Sequence, residues 1–473
     1  MLWYRRRFPA REPGRLLLHF GAVDYRCEVW VNGRSVTSHE GGHTPFSAEI
    51  APQRDNEIVV RVEDPISDLA LPRGKQYWKP FSEEIFYTPT SGIWQSVWLE
   101  QLREGHVSRL ETRPDLATGS VEIEVEAAAD RIEVEASLEG SLVASWQGPP
   151  GRCRLSLGEV KPWSPEAPVL YDLQVRAGED VVQSYFGLRS VALEEGRFLL
   201  NGRPYVQRLV LDQGYFPGGL LTAGSDAELR RDIELAKQLG FNGARKHQKV
   251  EDPRWLFWAD RLGFLAWAEM PNAQVYSPDA RRRLIAEWRQ AVLRDRGRPS
   301  VVAWVPLNES WGLQGAGPAT RLDFLSELKS ITHRLDPSRP VVTNDGWEHP
   351  GHDDLCTLHD YGGPAELAPR YSSLKAALAA GARPRPAYLP GFAHHGEPVI
   401  VSEFGGLRLR GEELVQAYRQ EVAALMQRGP VEGFCYTQLA DVEQERNGLL
   451  TFDRRFKADP PALRAATETP KRR

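Results

Sequence analysis

Between residues 205 and 438, eight short apolar runs rich in β-branched and aromatic residues alternate with stretches of helical period. That alternation restricts the second half of the chain to a parallel α/β architecture. The runs start at Tyr205, Phe241, Phe264, Val301, Val341, Asp354, Val399 and Gly433. Helices are expected over 227–239, capped around Ser225-Asp226 and closed by Gly240, and over 253–262, closed by Gly263. Further helices are expected over 278–294, 319–335 and 412–427. Eight strands, most of them followed by room for a helix, specify a (β/α)8 TIM barrel.

The first 193 residues have a different period. Residues 1–103 hold short alternating stretches at 15–20, 27–31, 57–62 and 93–99, punctuated by turn signals such as Asn32-Gly33. They read as a jelly-roll β-sandwich. Residues 104–193 carry strand patterns at 121–127, 131–138, 154–157, 169–177 and 180–188, the density of an immunoglobulin-like β-sandwich that serves as a spacer. The fold class is therefore multidomain β plus α/β, with boundaries at 1–103, 104–193 and 194–473. A chain of 473 residues is too long for a single core.

A net charge of −5 gives no footprint for nucleic acid. Cys27, Cys153, Cys356 and Cys435 are far apart and lack Cys-x-x-Cys spacing, so no zinc site, metal or disulfide framework is indicated. No window approaches 18 uninterrupted apolar residues, and Met1-Leu2-Trp3-Tyr4-Arg5-Arg6-Arg7-Phe8 has no secretory apolar stretch. The default expectation is a cytoplasmic chain without a membrane partner. No cofactor motif is present: there is no Gly-x-Ser-x-Gly elbow, no phosphate-binding Gly-rich loop and no His-Glu-x-x-His pair.

Two strings carry the chemistry. Val305-Pro306-Leu307-Asn308-Glu309-Ser310-Trp311-Gly312 and Val399-Ile400-Val401-Ser402-Glu403-Phe404-Gly405-Gly406 each place a glutamate at the C-terminal tip of an expected strand, the edge where such barrels build their sites. Glu309 would end strand 4 and Glu403 strand 7, across the barrel mouth from each other. Paired carboxyls about 5 Å apart suit glycosidic cleavage with retention, one delivering a proton and the other attacking the anomeric carbon. Glu309 is the expected proton carrier and Glu403 the expected nucleophile, kept ionised by cations such as those of Arg245-Lys246-His247 at the tip of strand 2. Other strand tips offer groups suited to a sugar: Asp212, Trp347, His359, Tyr361, Tyr436 and Gln438. Glu269, at the tip of strand 3, reads as a structural carboxylate, with a supporting acid or metal ligand as the sharper alternative.

On these residues the chain resembles glycoside hydrolase family 2, the β-galactosidases, β-glucuronidases and β-mannosidases. The likeness includes Phe20-Gly21-Ala22-Val23-Asp24-Tyr25, Val29-Trp30-Val31-Asn32-Gly33, Gly92-Ile93-Trp94-Gln95-Ser96-Val97-Trp98-Leu99-Glu100 and Phe198-Leu199-Leu200-Asn201-Gly202-Arg203-Pro204, besides the two glutamate strings. The resemblance implies a retaining exo-glycosidase acting on a carbohydrate or glycoside, with Glu309 as acid/base, Glu403 as nucleophile and Asn308 on the sugar 2-hydroxyl. It also implies a tyrosine near the nucleophile at Tyr361, ring packing by Trp347 and Tyr436, and an arginine after strand 2 at Arg245. Members of the family are often dimers or tetramers, which makes a homo-oligomer an expectation as well.

The chain departs from the family pattern in several places. The jelly roll starts late, which reads as an N-terminally incomplete domain, and any secretion signal would have gone with the missing part. Glu445-Arg446-Asn447 stands where the glucuronidases present Asn-x-Lys for the sugar carboxylate, which disfavours a glucuronide. Arg245-Lys246-His247-Gln248-Lys249 and Tyr436-Thr437-Gln438-Leu439-Ala440-Asp441 replace the strings of the galactosidases, so a β-galactofuranoside or α-L-arabinofuranoside enters as an outlying substrate. The competing reading is a carbohydrate-binding protein that keeps the fold and turns over weakly or not at all.

Overall fold

The computed structural model describes residues 1–473 except 10–13, 352, 381–384, 428, 470 and 472–473. They form two compact units, one of 1–65, 90–190 and 297–299, the other of 66–89, 191–296 and 300–473.

In the first unit, Leu2–Pro9, Asp55–Glu63, Arg26–Val31 and Arg34–Glu40 form a four-stranded antiparallel sheet in that order. Phe46–Ile50, Arg15–Phe20 and Val97–Leu102 form a three-stranded one. The period-2 alternation places Leu16, Leu18 and Phe20 from one sheet and Cys27, Val29 and Val31 from the other in a shared core, as a sandwich requires. The same unit holds a second sandwich. Its sheets are Val107–Asp115, Ser120–Ala127 and Gly151–Ser156, and Ser141–Gly148, Ile132–Leu138, Tyr171–Ala177 and Asp180–Phe186. Val121, Ile123, Val125, Val134, Tyr171 and Val175 fill it. These are the jelly-roll and immunoglobulin-like layers.

Residues 66–89, which the sequence reading assigned to the jelly roll, pack with the barrel unit instead. Their local pattern contains no long apolar run, so nothing in the string itself marks the change of partner.

The barrel strands are Gln207–Asp212, Gly243–Lys246, Leu265–Glu269, Val301–Val305, Cys356–His359, Val399–Gly405 and Val431–Thr437. They are parallel, and the first pairs with both the second and the last. Strands covered on both faces by helices need no polar side, and the fourth, Val-Val-Ala-Trp-Val, is buried at every residue. Among the described residues, seven regular strands stand where eight were expected. The fifth position, 341–345, is held by two isolated bridges, Trp304 to Val341 and Asn308 to Asp345. On its other side the seam is largely side chain: the Asp354 carboxylate accepts from the Val341 N–H at 2.8 Å, and the Asp353 carboxylate from the Thr343 N–H at 3.1 Å. Carboxylates thus replace much of a regular ladder there.

The helices begin where capping chemistry places them. Ser225 Oγ accepts from the Glu228 N–H at the start of Asp226–Gln238, Asp252 caps Pro253–Leu262, and Ser277 caps Pro278–Asp295. Gly263 ends the second of these in the left-handed conformation, at φ 67°. All four cysteines are free and buried. Among the described residues no helix is long and apolar enough to cross a membrane.

Helix Gly411–Met426 carries one carboxyl at odds with its surroundings. Burial alone pushes Glu421 from 4.5 up to about 8, and its Oε2 has no hydrogen-bond partner. The neutral carboxyl stabilises the fold fully below pH 4.5; as pH rises toward 8 the unfolded chain ionises Glu421 and the folded chain does not, so that contribution is lost. Glu421→Gln is therefore expected to raise stability by about 1–3 kcal/mol at pH 8.5 and to leave it nearly unchanged at pH 4.5, read from urea unfolding at the two pH values.

Candidate active site

Arg245, on the second barrel strand, is fully buried (0% exposed) and joins three carboxylates and an amide through its guanidinium. Its Nη1 lies 2.6 Å from Glu269 Oε2 on the third strand and 2.8 Å from Asp345 Oδ2 at the fifth position. Its Nη2 donates to Glu403 Oε1 on the seventh. Nη1 also reaches Asn308 Oδ1 at 3.3 Å. Strand alternation sends the next residue elsewhere: Lys246 pairs with Asp212 at 2.5 Å and Glu251 at 2.7 Å. His247 sits near Glu269, and burial together with the charges of Arg245 and Lys75 drives its imidazole well below the ordinary range, so it is neutral. Of the basic run expected to face the nucleophile, Arg245 bonds to it, whereas Lys246 and His247 turn to other carboxylates.

Glu403 Oε2 accepts from the Tyr361 hydroxyl and lies 3.6 Å from His359 Nδ1. Burial works to raise the Glu403 carboxyl, yet His359 and Arg245 hold it below the ordinary carboxylate value. The Tyr361 phenol, by contrast, is pushed well up by burial and by the charges of Glu403 and Glu309, which keeps it a donor. The tyrosine is 51% exposed overall, with its hydroxyl directed inward to Glu403 and, at 3.3 Å, to Thr437 Oγ1.

Glu309 follows the fourth strand in a turn of unusual backbone. Glu309 (φ 51°) and Ser310 (φ 58°) are both left-handed, a conformation that a non-glycine pair keeps only under outside support. That support is specific: the Glu309 N–H donates to Asp345 O at 2.9 Å, the Ser310 N–H to Asn344 Oδ1 at 2.7 Å, and Ser310 Oγ to Glu348, itself paired with Arg321 and Arg385. The turn leaves the Glu309 side chain 20% exposed, whereas that of Glu403 is 7% exposed. Glu309 Oε1 lies 2.7 Å from His359 Nδ1, and His359 Nε2 lies 3.0 Å from Asp345 Oδ2. Burial disfavours a charged His359, but Glu403 and Asp345 raise it to about 10, so it is an imidazolium at neutral pH. Asp345 is held far below the usual range against its burial by Arg245 and His359.

One ligating atom each from Glu309, His359 and Glu403 lies within 4.8 Å of the other two. Within the cluster His359 Nδ1 faces Glu309 and its Nε2 faces Asp345, so each ring nitrogen is already paired with a carboxylate. The cluster is one of acids and bases.

The remaining sequence-derived candidates divide. Asn308 lies beside the pair, its amide nitrogen making no bond within the described residues while its Oδ1 accepts from Arg245. Trp347 packs edge-on to His359 at 5.7 Å, and its Nε1 has no partner. Tyr436, expected to pack a sugar ring, is instead core: it is fully buried between Phe404 and Tyr418, because its place on the eighth strand points it at the helix layer. Asp212 spends its carboxylate on Lys246 and the Gly214 N–H, and Gln438 gives its amide to Asn447 at 2.6 Å. Glu269 is a buried carboxylate that holds Arg245 and also accepts from the Gln248 N–H at 2.9 Å.

Sequence reasoning missed several neighbours of the site. Lys75, from 66–89, is 7% exposed with its ammonium over the rings of Trp311 (5.4 Å) and Tyr87 (6.0 Å). The Tyr87 hydroxyl donates to Glu445. Asn272 accepts from the Asn308 N–H at 2.9 Å and from Gln248 Nε2 at 2.9 Å. Asp345 stood in a string already singled out, Asn344-Asp345-Gly346-Trp347, and was recoverable; Lys75 had no local signal.

Residues 191–464 match the description "Glycosyl hydrolases family 2, TIM barrel domain", and 105–189 match "Glycosyl hydrolases family 2". The chain belongs to this family. It is 29% identical over 430 residues to a β-glucuronidase of Canis lupus familiaris, an alignment covering 76% of this chain and 63% of that protein. It is 27% identical over 375 residues to a β-galactosidase of Thermoanaerobacter pseudethanolicus, covering 72% and 48%. Among solved structures, the apo form of Bacteroides uniformis β-glucuronidase 3 shares the fold with a TM-score of 0.82 at 18% identity, over 99% of this chain and 66% of that one. The β-glucuronidase from Ruminococcus gnavus in complex with D-glucuronic acid does so at 0.80 and 22% identity, over 98% and 88%. The chain thus spans less than two thirds of the curated relatives cited here.

Removing the Arg245 guanidinium would strand buried carboxylates without their cation. Arg245→Met is expected to cost about 3–5 kcal/mol in urea unfolding at pH 7, against under about 1 kcal/mol for exposed Arg5→Met.

Proposed function

We propose that the chain is a retaining exo-glycosidase that cleaves a terminal, β-galactosidase-like glycosidic bond by double displacement. The observation that carries this reading is the approach of a Glu309 and a Glu403 oxygen to within 4.8 Å, which fits a direct attack better than the wider gap an inverting enzyme leaves for water. Glu403, held ionised by Arg245 and His359, attacks the anomeric carbon. Glu309, more open to solvent, gives a proton to the leaving oxygen and then takes one from the incoming water. Tyr361 steadies Glu403 through its hydroxyl, and the uncommitted Asn308 amide nitrogen is placed to donate to a sugar hydroxyl beside the reacting carbon. Trp347, Trp311 and Lys75 supply the rim.

The family relatives support the class of reaction, and their names include both glucuronidases and galactosidases. A neutral glycone is favoured, because both Glu445 oxygens are taken up by Tyr87 and Asn447 and the position adds no cation for a sugar carboxylate.

The test is a panel of nitrophenyl glycosides: β-galactopyranoside, β-glucuronide, β-mannoside, β-galactofuranoside and α-L-arabinofuranoside. Wild type is expected to cleave one of them. Glu403→Gln should lose at least about 10⁴-fold in kcat, and the 2-deoxy-2-fluoro analogue of the substrate should add one glycosyl mass to the peptide containing Glu403. A folded protein that cleaves none, or an adduct on another residue, overturns the assignment. Tyr361→Phe is expected to lower kcat about 10- to 100-fold with KM nearly unchanged, as loss of a single donor to the nucleophile should.

A further inference from the structure

Among the described residues, His359 is the side chain that reaches both glutamates of the proposed pair through a single atom. Nδ1 is 2.7 Å from Glu309 Oε1 and 3.6 Å from Glu403 Oε2, while Nε2 is anchored 3.0 Å from Asp345 Oδ2. The ring is buried, and its position is built rather than incidental. Gly346 has φ 100°, and a Cβ there would meet the His359 ring at 2.6 Å. Trp347 closes the adjacent side edge-on.

We propose that His359 is a positioning residue for both steps of the reaction, a cation clamped on Asp345 that points one N–H into the gap between Glu309 and Glu403. The inference rests on those two glutamates being the catalytic pair. The charged and titratable groups facing the ring come from every surrounding strand: Glu309 from the fourth, Asp345 from the fifth, Glu403 from the seventh, and Arg245 and His247 from the second, with Tyr361 beside it on its own. In the first step Glu403 exchanges its negative charge for an ester bond and Glu309 releases its proton to the leaving oxygen. The N–H of His359 can then serve the newly formed Glu309 carboxylate, whose negative charge replaces the one lost at Glu403. In the second step water attacks the anomeric carbon and gives its proton to Glu309, the bond from that carbon to the Glu403 oxygen breaks so that Glu403 recovers its charge, and the same N–H turns back toward it. The imidazolium is neither consumed nor deprotonated, so the cycle balances.

The role predicts effects that mere packing would not. Removing a cation from beside Glu403 raises its carboxyl, so in His359→Gln the acid limb of kcat/KM against pH should move up by about one unit or more. The loss in kcat should also depend on the leaving group: about 100-fold or more for a phenyl glycoside, which needs Glu309 to donate, and under about 10-fold for the 2,4-dinitrophenyl glycoside, which does not. An equal loss on both substrates with an unmoved acid limb would mean that His359 only packs, and would overturn the proposal. Should His359→Gln fail to fold, wild-type protein labelled with ¹⁵N-histidine answers the same question. One histidine should stay protonated at pH 8 both before and after the fluoroglycosyl ester forms, because the Glu309 carboxylate then replaces the Glu403 charge, and its Nδ1 resonance should move when the ester forms. No such resonance would overturn the proposal. These outcomes are separable from failure of the catalytic assignment, which shows as no ester on Glu403.

Discussion

A guanidinium cannot be buried at the end of a barrel unless its charge and its donors are met there, and Arg245 meets them with carboxylates from three other strand positions. That requirement organises the mouth of the barrel. Glu269, Asp345 and Glu403 are each drawn inward from a different strand, and each has its carboxylate oriented before any substrate arrives. Below this layer the strands are apolar on both faces, as in the all-buried Val301–Val305. Above it, the ions give way to the more open Glu309 and the half-exposed Tyr361.

The consequence for the two glutamates is asymmetry. Glu403 sits in the ion network, with a guanidinium on one oxygen and a phenol on the other. Glu309 projects from a left-handed turn, and among the described residues its carboxylate meets the network through His359 while its N–H is held by Asp345 O. Two residues of the same type are thereby given different surroundings, which is the condition for one to act as a base or nucleophile while the other carries a proton. The turn that makes this possible is strained, and its strain is borne by Asn344, Asp345 and Glu348 from the bridged fifth position and the loop after it.

Much of this was legible in the string of residues, and the failures have a common cause. The approximate places of most strands, the helix cap at Ser225, and the positions of Glu309 just past the fourth strand and Glu403 near the end of the seventh all follow from local chemistry. Arg245, Lys246 and His247 could not be told apart, because adjacent strand residues face opposite sides and a one-residue offset decides which enters the site. The same offset placed Tyr436 in the helix layer rather than over a sugar. The fifth strand looked regular in sequence, but on one side its partners are Asp353 and Asp354, whose side chains do what backbone usually does.

The sequence by itself determined the barrel, since eight apolar runs separated by helical period have few other ways to bury themselves, and it determined which two glutamates end those strands. Only the tertiary structure decided which charges those glutamates meet. Asp345, His359, Arg245 and Lys75 lie up to 284 residues apart in the chain, and whether any of them is a cation in the site depends on burial and on neighbours that no local pattern encodes. Side-chain charge in a closed site is a property of the assembled group, because desolvation and Coulomb energy are set by what surrounds it in space.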